Sequence, residues 1–80
     1  MEKKKIKRLE QAIELAKRNN TIYINGFMIT NFSYGMDKDI EINYDMLPAL
    51  DIIVNGIIEF SIPIERITLI ETIGEVLYKE

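Results

Sequence analysis

The side chains able to do chemistry in this 80-residue chain are 13 carboxylates, seven Lys, three Arg, four Tyr and two Ser, with no Cys, His or Trp. Without thiol or imidazole there is no zinc finger, disulfide framework, thiol nucleophile, imidazole base or haem or iron-sulfur ligation. A carboxylate-dependent enzyme remains as an alternative, but such a site needs acidic groups converging in a cleft, and a chain this short rarely encloses one. Pairs such as Glu59 and Glu65 have no spacing that brings them together. The acidic set Asp37, Asp39, Glu41, Asp45 and Asp51 lacks the alternate ligands, central glycine and final Glu of a calcium loop. No metal and no cofactor is expected. The first four of these carboxylates instead suggest an acidic surface for a protein partner.

Charge is divided along the chain. Residues 1–18 carry seven basic and three acidic groups, and residues 19–80 carry three basic and ten acidic, giving +4 and −7 and the overall −3. Lys3, Lys4, Lys5, Lys7 and Arg8 could neutralise phosphates, which makes RNA the alternative partner. No apolar run is long enough for a membrane span, and Lys7, Arg8 and Glu10 interrupt the place where a signal peptide would be apolar, so a cytoplasmic protein without membrane contact is expected.

The elements that must position these groups follow from periodicity. Ile6, Leu9, Ala12, Ile13 and Ala16 share one side of a 3.6-residue period, predicting a basic amphipathic helix over 3–18, with Glu14 four residues before Arg18 and Asn19-Asn20 as a left-handed end. Thereafter the period is two. Sixteen Ile residues favour a pleated, packed surface. Asn25-Gly26 and Asn55-Gly56 stand between alternating segments and predict two-residue hairpins, with Ile24 facing Phe27 and Ile22 facing Ile29. Phe32 and Tyr34 break the phase of Phe27 and Ile29, which predicts a bulge near Thr30-Asn31. Residues 35–39 read as a turn and Ile40–Tyr44 as a half-buried strand. Residues 45–49, with Pro48, read as a loop or a bent continuation. Leu50–Val54 and Ile57–Ile62 form the second hairpin, Pro63 ends it, and Ile67–Glu71 is the last strand of a sheet over 21–71. Residues 72–80 fit a short helix begun by a Thr72–Glu75 capping box, or an added strand.

The fold expected is a single α+β domain, an N-terminal helix followed by a bent, mostly antiparallel five-stranded sheet or small barrel. From Lys3 to Glu71 this plan resembles the Sm-like family of ring-forming RNA-binding proteins. Gly35-Met36-Asp37 followed by Ile40-Glu41-Ile42 is similar to the family's glycine-aromatic-aspartate turn and the strand after it, with Glu41 where a uridine-contacting asparagine is usual. Asn55-Gly56 through Ile62, then Ile67-Thr68-Leu69-Ile70, is similar in spacing to the family's last two strands. Ser61-Ile62-Pro63-Ile64-Glu65 stands in place of its second RNA-contacting motif. The resemblance implies a barrel and a ring.

Strand alternation puts Ile52, Val54 and Ile57 on one face of the second hairpin and Ile53, Ile58, Phe60 and Ile62 on the other. A domain of this size covers one face of a hairpin readily, so Ile52, Val54 and Ile57 are the expected contact with a second copy or a partner, unless the helix or tail covers them. The expected function is a non-enzymatic module that self-associates and acts as a regulator or inhibitor through protein contacts, as an accessory protein of a mobile element would.

Overall fold

The computed structural model describes residues 2–31, 37–45 and 47–80, with backbone alone at Glu2, Thr30 and Asn31. Among them are helix α1 (Glu2–Ala16) and strands β1 (Thr21–Ile24), β2 (Phe27–Asn31), β3 (Lys38–Asn43), β4 (Ala49–Val54), β5 (Ile57–Pro63), β6 (Leu69–Thr72) and β7 (Glu75–Lys79), with a 3₁₀ turn (Ile64–Arg66) between β5 and β6. The strands make two antiparallel sheets, ordered β2-β1-β6-β7 and β3-β4-β5. The domain is α+β. Among the described residues seven strands in two sheets replace the expected five in one, and the sheets do not close into a barrel.

The helix forms where its period places it. Leu9, Ala12, Ile13 and Ala16 are buried, and Ile6 packs beside them. It ends two residues earlier than expected and without a left-handed residue, since among the described non-glycine residues only Asn25 and Asn55 have positive φ. The last turn tightens instead: the Leu15 carbonyl accepts from the Arg18 amide at 3.1 Å and also from the Asn19 side-chain amide at 2.9 Å. Glu14 pairs with Lys17 at 3.7 Å rather than with Arg18.

The core lies between the two sheets. Ile22 and Ile24 of β1 and Ile70 of β6 meet Ile40 of β3 and Leu50 and Ile52 of β4, with Ile64 and Ile67 closing one end. Helix α1 runs between the β7 and β3 edges. On one flank Arg8 donates to the Lys79 carbonyl at 2.7 Å and Lys5 pairs with Glu80 at 3.3 Å. On the other, Tyr44 donates to Glu10 at 3.2 Å and Lys17 pairs with Asp39 at 3.5 Å.

Three hairpins share one design. Each has a two-residue turn and one extra residue in its return strand, at Ile29, Glu59 and Leu77, where the register shifts. Asn25-Gly26 and Asn55-Gly56 have φ of 53° and 84°, and 51° and 78°, the both-positive pair that matches strand twist. The first bulge lies earlier than expected, so that Ile22 faces Thr30 and not Ile29. The bend expected from Phe32 and Tyr34, and most of the turn at 35–39, lie outside the described residues. Residues 44, 45, 47 and 48 belong to the loop between β3 and β4, where the Asn43 side chain accepts from the Asp45 amide at 2.9 Å. The tail is a strand: Gly74, at φ 85°, turns the chain so that Thr72 faces Glu75.

Candidate functional site

Each hairpin's return strand, β2, β5 or β7, ends a sheet, so its outward peptide groups and side chains are what the fold offers to another molecule. The β7 edge is attended by α1. The β5 edge has no comparable cover among the described residues: Ile57 is 65% exposed, Ile58 54% and Phe60 44%. Its one charge is Glu59. On β2, Phe27 and Met28 are likewise exposed.

The residues expected at a contact occupy different depths. Val54 stands opposite Ile57 and Ile52 two residues along β4, so the three share a face. Ile52 is fully buried in the core, however, and Val54 packs against it, leaving Ile57 as the accessible one. The assignment of Phe60 and Ile62 to the opposite face is corrected. Phe60 faces Ile52 and Ile62 faces Leu50, because the extra residue Glu59 reverses the alternation. The outer face then carries Ile53 and Ile58, Asp51 and Ser61, with Asp39 and Glu41 from β3.

Asp37, Asp39, Glu41 and Asp45 are all exposed. Asp39 and Glu41 lie on the same outer face, but Asp39 is engaged by Lys17. Asp37 belongs to the base of the β4–β5 turn, where its amide donates to the Asn55 side chain at 3.1 Å. Asp51, opposite Glu41, is buried, and accepts from Ser61 Oγ at 2.7 Å and Asn43 Nδ2 at 3.3 Å. It is a carboxylate held by neutral donors, a contact the sequence carried no signal for. Among the described residues no three carboxylates gather as a metal site would require.

The basic set is split by the fold. Lys3, Lys4 and Lys7 are exposed. Lys5 is drawn to Glu80, and Arg8 lies over the Tyr78 ring at 4.8 Å from its centroid, a cation–π contact. A groove of about 330 Å³ runs between α1 and β7, bordered by Arg8, Gln11, Leu15, Val76 and Lys79. A smaller one of about 190 Å³ lies on the β3 side, bordered by Glu10, Glu14, Glu41 and Tyr44. Among the described residues no helix is long and apolar enough to cross a membrane.

Partial shielding from water raises the Tyr44 phenol, still more than half exposed, above its ordinary value of 10.0, and the Glu10 carboxylate beside it adds to the shift. Ionisation would put a second negative charge beside Glu10 and remove the donor of their hydrogen bond. The stabilising effect of this contact is therefore present below the ordinary phenol pKa and lost as pH rises through the raised one. In an ultraviolet titration of phenolate formation, the component missing from Tyr44→Phe is expected to ionise above pH 10. A missing component at or below 10 would show that Glu10 does not hold the phenol.

Comparison of the chain with protein-family models, with curated proteins and with solved structures finds no match.

Proposed function

We propose that this chain is a non-enzymatic binding module that self-associates and acts through protein contacts as a regulator or inhibitor. The observation that carries the reading is the β5 edge, with Ile57, Ile58 and Phe60 exposed along one strand. Monomeric proteins usually blunt such an edge with charges, a covering element or a short strand. Two other edges here are blunted: β3 carries Lys38, Asp39 and Glu41, and β7 carries Glu75 and Lys79, both beside α1. The exposed carboxylates Asp37, Asp39, Glu41 and Asp45 are the surface offered to a protein partner.

Native mass spectrometry at moderate salt, with the protein at about 500 μM so that weak association is populated, tests it. The expected result is a protein-only oligomer that Ile57→Lys shifts to monomer with little loss of thermal stability, since a side chain this exposed contributes little to the core. A monomeric wild-type protein, or an oligomer whose mass Ile57→Lys leaves unchanged, would count against the reading. A closed oligomer that co-purifies with RNA would replace it with the Sm-like RNA-binding one, in which Lys3, Lys4, Lys5, Lys7 and Arg8 face phosphate.

A further inference from the structure

We infer that β5 pairs antiparallel with β5 of a second copy about a twofold axis, joining two three-stranded sheets into one of six strands. The inference rests on the self-association proposed above and specifies how it happens. In a two-residue hairpin the residues flanking the turn exchange hydrogen bonds, so the next pair turns its peptide groups away from the partner strand. For β5 the flanking residue is Ile57, and the outward one is Ile58, opposite Ile53. The extra residue shifts the alternation, and the next outward position is Ser61, opposite Asp51.

The β6–β7 hairpin has the same register and shows the direction. Its equivalent of Ser61 is Lys79, whose carbonyl points outward and accepts from Arg8 at 2.7 Å, while the following amide, of Glu80, turns back to the Thr68 carbonyl at 2.9 Å. In β7 the outward carbonyl is taken by α1. In β5 no contact among the described residues takes the carbonyl at that position.

Ile58 and Ser61 complement themselves. In an antiparallel pairing about a twofold axis, Ile58 stands opposite Ser61 of the second copy and the reverse, so each outward N–H and C=O meets its counterpart. Contacts of this self-matching kind close as dimers. Exposed parts of Ile57, Ile58 and Phe60 would be covered. Two seven-residue strands meeting edge to edge bury less than the ~800 Å² per partner of a standard interface, so weak, concentration-dependent association is expected. Close to the axis the two copies of Glu59 approach, and their like charges oppose the pairing.

The chain has no Cys, so single cysteines report proximity cleanly. Sedimentation equilibrium of the wild-type protein from about 5 to 500 μM is combined with oxidative cross-linking of Glu59→Cys and of Glu75→Cys, the latter on the β7 edge. The expected results are a monomer–dimer equilibrium, a cross-linked dimer forming at least tenfold faster for Glu59→Cys, and at least threefold tighter association for Glu59→Gln. A monomer throughout would overturn both the self-association and this pairing. An oligomer in which the two cysteines link equally fast, or in which Glu59→Gln fails to tighten association, would overturn the β5 pairing alone. Thermal unfolding of each variant at a concentration where it is monomeric confirms that it is folded.

Discussion

Ile52→Ala is expected to lower the free energy of unfolding by about 3 to 4 kcal/mol, within the range for truncating a buried aliphatic side chain. Ile52 is at the centre of the middle strand β4, with no exposed surface, between Ile40 on one side and Phe60 on the other. It also borders a void of about 10 Å³ shared with Ile13, Ile22, Leu50 and Ile70. The space left by the missing atoms would join that void, and strands fixed by ladders on both sides are poorly placed to collapse into it. A domain of this size has only about 4 to 12 kcal/mol of stability, so the loss is a large share of the whole. Ile57→Ala, on the same face but mostly exposed, is expected to change monomer stability by less than about 0.5 kcal/mol. Urea unfolding of the two variants at a concentration where both are monomeric separates core from surface. Equal losses would place the two side chains at the same depth, contrary to the fold described.

That contrast shows where reading the sequence succeeds. The period-two pattern correctly put Ile52, Val54 and Ile57 on one face, because alternation follows from the pleat alone. It could not tell depth, which depends on what lies above each position: Ile52 is under the facing sheet and Ile57 is beside the turn, beyond its reach. The helix stripe was legible because Leu9, Ala12, Ile13 and Ala16 recur at a spacing that no strand supports. Phe60 was assigned to the wrong face because nothing in Ile57-Ile58-Glu59-Phe60 marks Glu59 as the extra residue. A bulge is decided by pairing with another strand, which a local pattern does not contain. The tail was ambiguous for a different reason. Thr72 and Glu75 match a helix cap and also the two ends of a tight turn, and Gly74 between them supplies the positive φ that selects the turn. Of the expected site residues, exposure of the carboxylates was legible from charge, whereas the capture of Asp39 by Lys17, of Lys5 by Glu80 and of Arg8 by Lys79 and Tyr78 depends on where α1 docks.

Asn25→Ala is expected to cost about 2 to 3 kcal/mol, and Asn55→Ala about 1 kcal/mol, although the two Asn-Gly turns look alike in sequence. Both asparagines have nearly the same positive φ, 53° and 51°, so the conformational cost of a β-carbon there is common to both. What differs is the side chain. Asn25 donates from Nδ2 to the Arg66 carbonyl at 2.8 Å, while its Oδ1 accepts from the Thr68 amide at 2.9 Å, the Thr68 hydroxyl at 3.0 Å and the Leu69 amide at 3.2 Å. Asn55 Oδ1 accepts from the Asp37 amide at 3.1 Å. The Asn25 contacts fall where the chain, having crossed from one sheet to the other through the 3₁₀ turn, enters β6, the strand that pairs with β1. Asn25 thus holds the junction of the two layers, and Asn55 holds the end of a single meander. Asn25→Gly separates the contributions, since glycine accepts the positive φ and lacks the amide: it is expected to recover about 1 kcal/mol of the loss and no more. Chemical denaturation of the three variants supplies the comparison. If Asn25→Gly restored full stability, the four side-chain contacts would contribute nothing, and the join between the sheets would rest on the β1–β6 pairing and the packing of Ile24, Ile67 and Ile70 alone.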